Sequence, residues 1–195
     1  MQTVPVVIPS CLITAYRTVP LEALRKYSPD PLNTAGSLVT GGRYNAPADL
    51  PSAHAMLYLA ENTAVAHAEA RVITAVRTSS GLTVQPGQDQ RPRLDITVKL
   101  RLASLLDLTD ATVLAHLGIT PDDLLGPWLP LNLNGQIAFT QALARAALDA
   151  ARFDALLYPS AQYPGGRNYA VYPDRVAPED RSIHDPEHEL RIFTR

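Results

Sequence analysis

Leu94-Asp-Ile-Thr-Val-Lys-Leu-Arg-Leu102 alternates five aliphatic residues (Leu94, Ile96, Val98, Leu100, Leu102) with Asp95, Thr97, Lys99 and Arg101. Successive side chains of an extended chain point to opposite faces, so the pattern predicts a strand with one buried and one wet face. Outward from this strand, residues 11–16 are β-branched and apolar between Pro9 and Pro20 and read as a second strand, with Arg17 at its C-terminal end. Residues 55–60 form a continuous apolar run suited to a buried strand, and residues 155–158 and 168–172 read as strands around the turn Pro164-Gly-Gly166.

Helices are expected between them. Asn62 or Thr63 can cap one running to about Val76. Residues 111–117 and 122–128 read as short helices, the latter entered through Pro121, and residues 136–151 as a longer one with Ile137, Leu143 and Leu148 as core contacts. Residues 28–51, rich in Pro, Gly, Asn and Ser, read as a long irregular loop, and residues 81–92 as a polar, mobile loop. Strands at the start, middle and end with helices between them make the class α+β.

The chain has 195 residues, of which 46% are hydrophobic and 18% charged, enough apolar material for one globular domain spanning 1–195. The 17 Lys and Arg against 19 Asp and Glu give a net charge of −2, without the basic excess that nucleic-acid binding needs. The lone Cys11 can form neither an internal disulfide nor a Cys-based zinc site, which fits a reducing cytoplasm. The apolar N-terminus lacks leading Lys or Arg and is broken by Pro5 and Pro9, so neither a signal peptide nor a membrane span is expected.

Glu69 is the most informative position. Stepping residues 63–76 at about 100° per residue places Glu69 on one stripe with Val65, Val72, Ile73 and Val76, and His67 and Arg71 on the opposite, solvent side. A carboxylate on a buried face requires a partner. It reads either as a structural ion pair or as the floor of a pocket. Arg17 and Arg43, the latter in Gly41-Gly-Arg-Tyr-Asn45, offer planar forks of donors matched to phosphate oxygens. The Gly-Gly pair is also compatible with a plain hairpin corner, and no Gly-Lys-Ser/Thr follows, so it is not a P-loop. Ser160 lacks a Gly-x-Ser-x-Gly context and fits a turn or cap as well as a site. His184 and His188 have metal-like spacing, but Pro186 argues against a regular helix there, and no metal site is expected.

Tyr16-Arg17, Gly41-Gly-Arg-Tyr-Asn45, Tyr58-Leu-Ala60 leading to Glu69, and Tyr158-Pro-Ser-Ala161 with Gly166-Arg-Asn168 stand in the order of a known bacterial family. Over residues 16–172 the chain resembles the RES domain, the toxin half of RES-Xre toxin-antitoxin pairs. It differs from many members in having Tyr44 in place of Trp. The resemblance implies a mixed, split β-sheet around a cleft with flanking helices, like that of ADP-ribosyltransferase toxins, and NAD+ as substrate. It implies catalytic roles for Glu69, Ser160 and one of Arg17 or Arg43. Arg43, Tyr44, Asn45 and Tyr58 would bind substrate, the arginines at the diphosphate and Tyr44 or Tyr58 stacking on nicotinamide. Ser160 would bond the ribose or an incoming phosphate. No metal or cofactor is implied beyond NAD+ itself, with inorganic phosphate as a candidate co-substrate. The implied partner is an Xre-type antitoxin in a hetero-oligomer. The reaction expected is cleavage of the nicotinamide-ribose bond with phosphate or water as acceptor; the alternatives are transfer of ADP-ribose to a macromolecule and an inactive partner-binding module.

Overall fold

The computed structural model describes residues 7–184 except 27 and 29. In chain order the elements are β1 (Val7–Pro20), α1 (Leu21–Lys26), α2 (Ala35–Thr40), β2 (Leu57–Ala60), α3 (Thr63–Glu69), β3 (Ile73–Thr78), β4 (Gly81–Pro86), β5 (Arg93–Asp107), α4 (Ala111–Leu117), α5 (Pro121–Leu125), α6 (Leu129–Leu133), α7 (Phe139–Asp149), β6 (Ala155–Pro159), β7 (Arg167–Val171) and β8 (Arg181–Ile183). The α+β class and the mixed sheet with flanking helices are as expected.

The alternating stretch lies at the centre. β5 pairs antiparallel with β1 along its whole length, from Val7 opposite Leu106 to Pro20 opposite Arg93. Its other edge takes β8 at Val98–Leu100 and, in parallel, β6 at Leu105–Asp107. β6 pairs with β7 and β7 with β2, both antiparallel. β2 returns to β1 through a single pair, Tyr16 opposite Ala60. The pairings therefore close into a ring whose weakest link is between β1 and β2, and there the sheet splits.

Period-2 alternation supplies both faces with apolar side chains. Ala15, Val19, Leu57, Leu59, Ile96, Val98, Leu100, Leu102, Ala155, Leu157 and Val171 form one cluster. The alternate residues Leu106, Leu156, Tyr158, Ala170 and Tyr172 pack on α4, α5 and α7 through Val113, Leu114, Leu124, Ala144 and Ala147. Each large side chain buried this way contributes about 1.5–3 kcal/mol. α7 begins at Phe139, three residues later than expected, where the Gln141 side chain accepts from the Ala138 amide at 2.9 Å. Leu143 and Leu148 pack partly buried on the cluster as anticipated.

Two expectations fail together. The helix expected to reach Val76 stops at Glu69, and the mobile loop expected over 81–92 contains β4, paired with β3 from Ile73–Pro86 to Thr78–Gly81. The β-branched residues Val72, Ile73, Thr74 and Val76 suit an extended chain, and the alternation Leu82-Thr-Val84-Gln supplies a matching partner. Gly81 turns the hairpin with φ 124°, open only to glycine. Two smaller corrections concern the region before α7 and the first long loop. The helix expected over 122–128 ends at Leu125, residues 126–128 are not helical, and a separate short helix, α6, follows at Leu129–Leu133. The loop over 28–51 holds α2 and the tight bridge between Gly42 and Asn45. His188 and Pro186 lie outside the described residues.

Candidate active site

A cavity of about 450 Å³ opens where β1 and β2 part. Its wall is built from Tyr16, Arg17 and Thr18 of β1, Leu59 and Ala60 of β2, the Gly41-Gly42-Arg43 corner, Glu69 to Arg71 at the end of α3, and Trp128, Tyr158, Gln162 and Asn168.

Glu69 arrives there through a short, well-anchored helix. Asn62 Oδ1 accepts from the Val65 amide at 3.0 Å, and Val65 and Ala66 bury against Ala60 with Tyr16 and Tyr163 at the margin. Glu69 is the last helical residue and its side chain is exposed on the open cavity wall. The sequence-based placement on a buried stripe is thus corrected, because three of the four residues that defined that stripe (Val72, Ile73 and Val76) are not helical.

What holds the carboxylate is a pair of hydrogen bonds to one oxygen. Ser160 Oγ donates to Glu69 Oε1 at 2.7 Å and Asn168 Nδ2 donates to the same atom at 2.6 Å. Among the described residues Oε2 accepts no hydrogen bond. One oxygen is anchored and the other is left for a ligand. The anchor is prepared by the turn between β6 and β7: Ser160 Oγ also accepts from the Gln162 and Tyr163 amides at 3.1 and 2.9 Å, and the Ser160 amide donates to Gly166 O at 2.8 Å. Gly166 has a steric reason to be glycine, since a Cβ there would lie 2.6 Å from Val65 Cγ2. The turn sits directly on α3 and delivers Ser160 and Asn168 to Glu69.

Ser160 is 8% exposed, its hydroxyl is spent on Glu69 and two amides, and it is not part of the cavity wall. A direct bond from Ser160 to a ribose or phosphate, expected from the sequence, is not what this geometry offers. Asn168, whose side chain was not singled out from the sequence, is 2% exposed and does reach the wall. The available signal was its place in Gly166-Arg-Asn168, one strand position from the turn.

Arg17 lies within β1, not at its end, on the face shared by Ala15 and Val19. Its Nη1 donates to Pro31 O at 2.9 Å, and Nη1 and Nη2 both donate to Asn33 O at 3.3 Å. Burial lowers the guanidinium to about 10, with Asp30 opposing the shift, so it stays a cation at neutral pH. Arg43 Nη1 donates to Leu124 O and Gly126 O at 3.1 and 2.8 Å. Both arginines line the cavity while tying loops to the body of the protein.

The aromatic expectations divide. Tyr58 is on the wall; its hydroxyl donates to Asn45 Oδ1 at 2.7 Å and accepts from the Tyr44 amide at 2.9 Å. Gly42 makes room for it, since a Cβ there would fall 2.5 Å from that hydroxyl. Tyr44 and Asn45, expected to touch substrate, are both 0% exposed and off the wall. Tyr44 packs on Tyr158 with ring centroids 4.3 Å apart, and Asn45 Nδ2 donates to Ser37 O at 2.6 Å. They form the support behind Tyr58. Gln141, fully buried, completes this support by donating to Gly42 O and Asn45 O at 2.8 and 3.1 Å, a role that a polar residue in a helix does not advertise. Burial raises the hydroxyl pKa of Tyr44, Tyr58 and Tyr158, so all three hydroxyls are neutral at physiological pH.

The RES domain family model matches residues 14–192. This chain belongs to the RES domain family. Its fold is similar to a chain in the crystal structure of the M. tuberculosis MbcT–MbcA toxin-antitoxin complex, with a TM-score of 0.65 and 20% identity over 92% of this chain and 85% of that one. No curated protein sequence matches it. In this RES domain Glu69 and Ser160 stand 91 residues apart in the chain and meet through a hydrogen bond, with Arg17 and Arg43 on the wall of the same cavity. Among the described residues no group of three or more His, Cys, Asp or Glu side chains could hold a metal ion, and no helix is long and apolar enough to cross a membrane.

Proposed function

We propose that this RES domain is a toxin-like enzyme that degrades NAD+ by cleaving the nicotinamide-ribose bond, with phosphate or water as acceptor. The observation that carries the reading is the carboxylate of Glu69, clamped through Oε1 by Ser160 and Asn168 on the wall of a cavity that Arg17 and Arg43 also line. Cleavage breaks the C–N bond, and its electron pair leaves with nicotinamide as the neutral base. Positive charge develops on the ribose, and a fixed carboxylate stabilises it. The new C–O bond forms with a phosphate oxygen, or with water, which then releases a proton. Arg17 and Arg43 supply donors suited to a diphosphate, and Tyr58 and Trp128 supply apolar faces for flat rings. The volume, about 450 Å³, is in the range of small-molecule sites.

The similarity to a chain of a toxin-antitoxin complex supports an antitoxin as partner, of the Xre type by family resemblance; the lone Cys11 fits action in a reducing cytoplasm. The test is incubation of the purified protein with labelled NAD+, with and without phosphate. Free ADP-ribose or its 1-phosphate is the expected product. Label accumulating in protein would favour the ADP-ribosyltransferase reading instead, and no consumption would favour a partner-binding module.

A further inference from the structure

We propose that Arg71 binds a phosphoryl oxyanion in this cavity, a role that rests on the reading of the site as one for a dinucleotide and its phosphate acceptor. Arg71 follows α3 and its cap residue Ala70 at the position where a helix turns left-handed, with φ 59°. The hydrogen bonds are those of a Schellman ending: the Arg71 amide donates to Ala68 O at 3.0 Å and the Val72 amide to His67 O at 2.8 Å. Glycine is the residue that such an ending normally selects, because a Cβ is strained there. Arginine stands in its place.

The strained backbone is held from outside as well. Asp89 N donates to Arg71 O at 3.0 Å, Gly87 N to Val72 O at 2.7 Å, and Gln90 Nε2 to Val72 O at 3.1 Å. The chain around Gly87 approaches so closely that a Cβ there would lie 2.2 Å from Arg71 O. Among the described residues three other non-glycine residues have positive φ (Ser10, Ser52 and Ala151), and none of them lines the cavity. Strain retained at one cavity residue and fixed by surrounding bonds is a mark of function.

The side chain is free to act. It is exposed on the cavity wall, two residues from Glu69, and among the described residues its guanidinium has no hydrogen-bond or ion-pair partner. Arg17 and Arg43 spend donors on backbone carbonyls. Arg71 keeps its whole planar fork for a ligand, the geometry that pairs with two phosphate oxygens. The oxyanion has two sources, the diphosphate of the dinucleotide or inorganic phosphate arriving as acceptor.

Arg71→Gly separates function from fold, because glycine suits the backbone. The variant is expected to melt at or above the parent's temperature while binding inorganic pyrophosphate, followed by calorimetry, about tenfold more weakly. Arg71→Lys keeps the charge and is expected to recover part of that loss. In turnover with purified full-length protein, a raised KM for NAD+ with that for phosphate unchanged assigns Arg71 to the dinucleotide, and the reverse assigns it to the acceptor. Unchanged pyrophosphate affinity and unchanged KM values in Arg71→Gly would overturn the inference while leaving the NAD+ reading intact. A parent protein that leaves NAD+ untouched, yet binds pyrophosphate in an Arg71-dependent way, would overturn the proposed reaction and support the oxyanion site.

Discussion

Ser160 Oγ and Asn168 Nδ2 converge on one oxygen of Glu69, at 2.7 and 2.6 Å, from the two ends of a single turn. The carboxylate is fixed in orientation although it stands on an open wall, and the strength of that hold comes from charge-assisted hydrogen bonds, not from exclusion of water.

Glu69→Gln keeps the size of the side chain and removes the charge. Consumption of NAD+ is expected to fall by about 100-fold or more, the scale of losing one preorganised electrostatic contact to the transition state. The melting temperature is expected to change little, because the side chain is exposed. A variant as active as its parent would remove Glu69 from the chemistry.

Ser160→Ala leaves the Gln162 and Tyr163 amides without their acceptor and Glu69 without one donor. A stability loss of about 1–3 kcal/mol is expected in denaturant titration. Because Ser160 does not line the cavity, kcat should drop with KM for NAD+ nearly unchanged. A large rise in KM alone would instead indicate direct contact with substrate.

Gly166→Ala drives a methyl group into Val65 Cγ2, 2.6 Å from the ideal Cβ position. The turn must lift from α3, at a cost of about 1–3 kcal/mol. Activity is expected to fall with stability, since both anchors of Glu69 ride on that turn. Circular dichroism melts and NAD+ turnover on the same preparation test the coupling.

High pH should unfold the protein through its tyrosines. Burial raises the folded-state pKa of Tyr44, Tyr58, Tyr158 and Tyr172 above the ordinary 10. The unfolded chain then loses these protons first, so stability is intact below pH 10 and declines as pH rises above it. Arg17 acts oppositely: its folded value of about 10 lies below the ordinary 12.5, so the unfolded chain holds more protons between them and stability rises with pH there. Tyr169, also raised by burial, acts in the same direction as the other tyrosines, and five phenols against one lowered guanidinium set the net sign. Absorbance at the phenolate band should rise together with loss of circular dichroism, and free ionisation of all tyrosines in a folded chain would contradict the burial.

The two kinds of information divide along the chain. Residues 94–102 declare their strand because strict alternation over nine positions matches only a period of two, and the order of Arg17, Gly41-Gly-Arg43, Glu69 and Ser160 marks the site. Residues 70–76 declare nothing so definite. Their valines and isoleucine satisfy a helical stripe and an extended strand alike, and the choice is made by hydrogen bonds to residues 81–86. The same limit explains Tyr44 and Asn45, which sit in a site-like stretch but face the core, and Arg71, which a continued helix would turn to solvent and the Schellman ending turns to the cavity. Local pattern determines which residues can be buried and which can carry charge. Which of them meet, and on which side of the wall, depends on pairings between distant segments that no local period encodes.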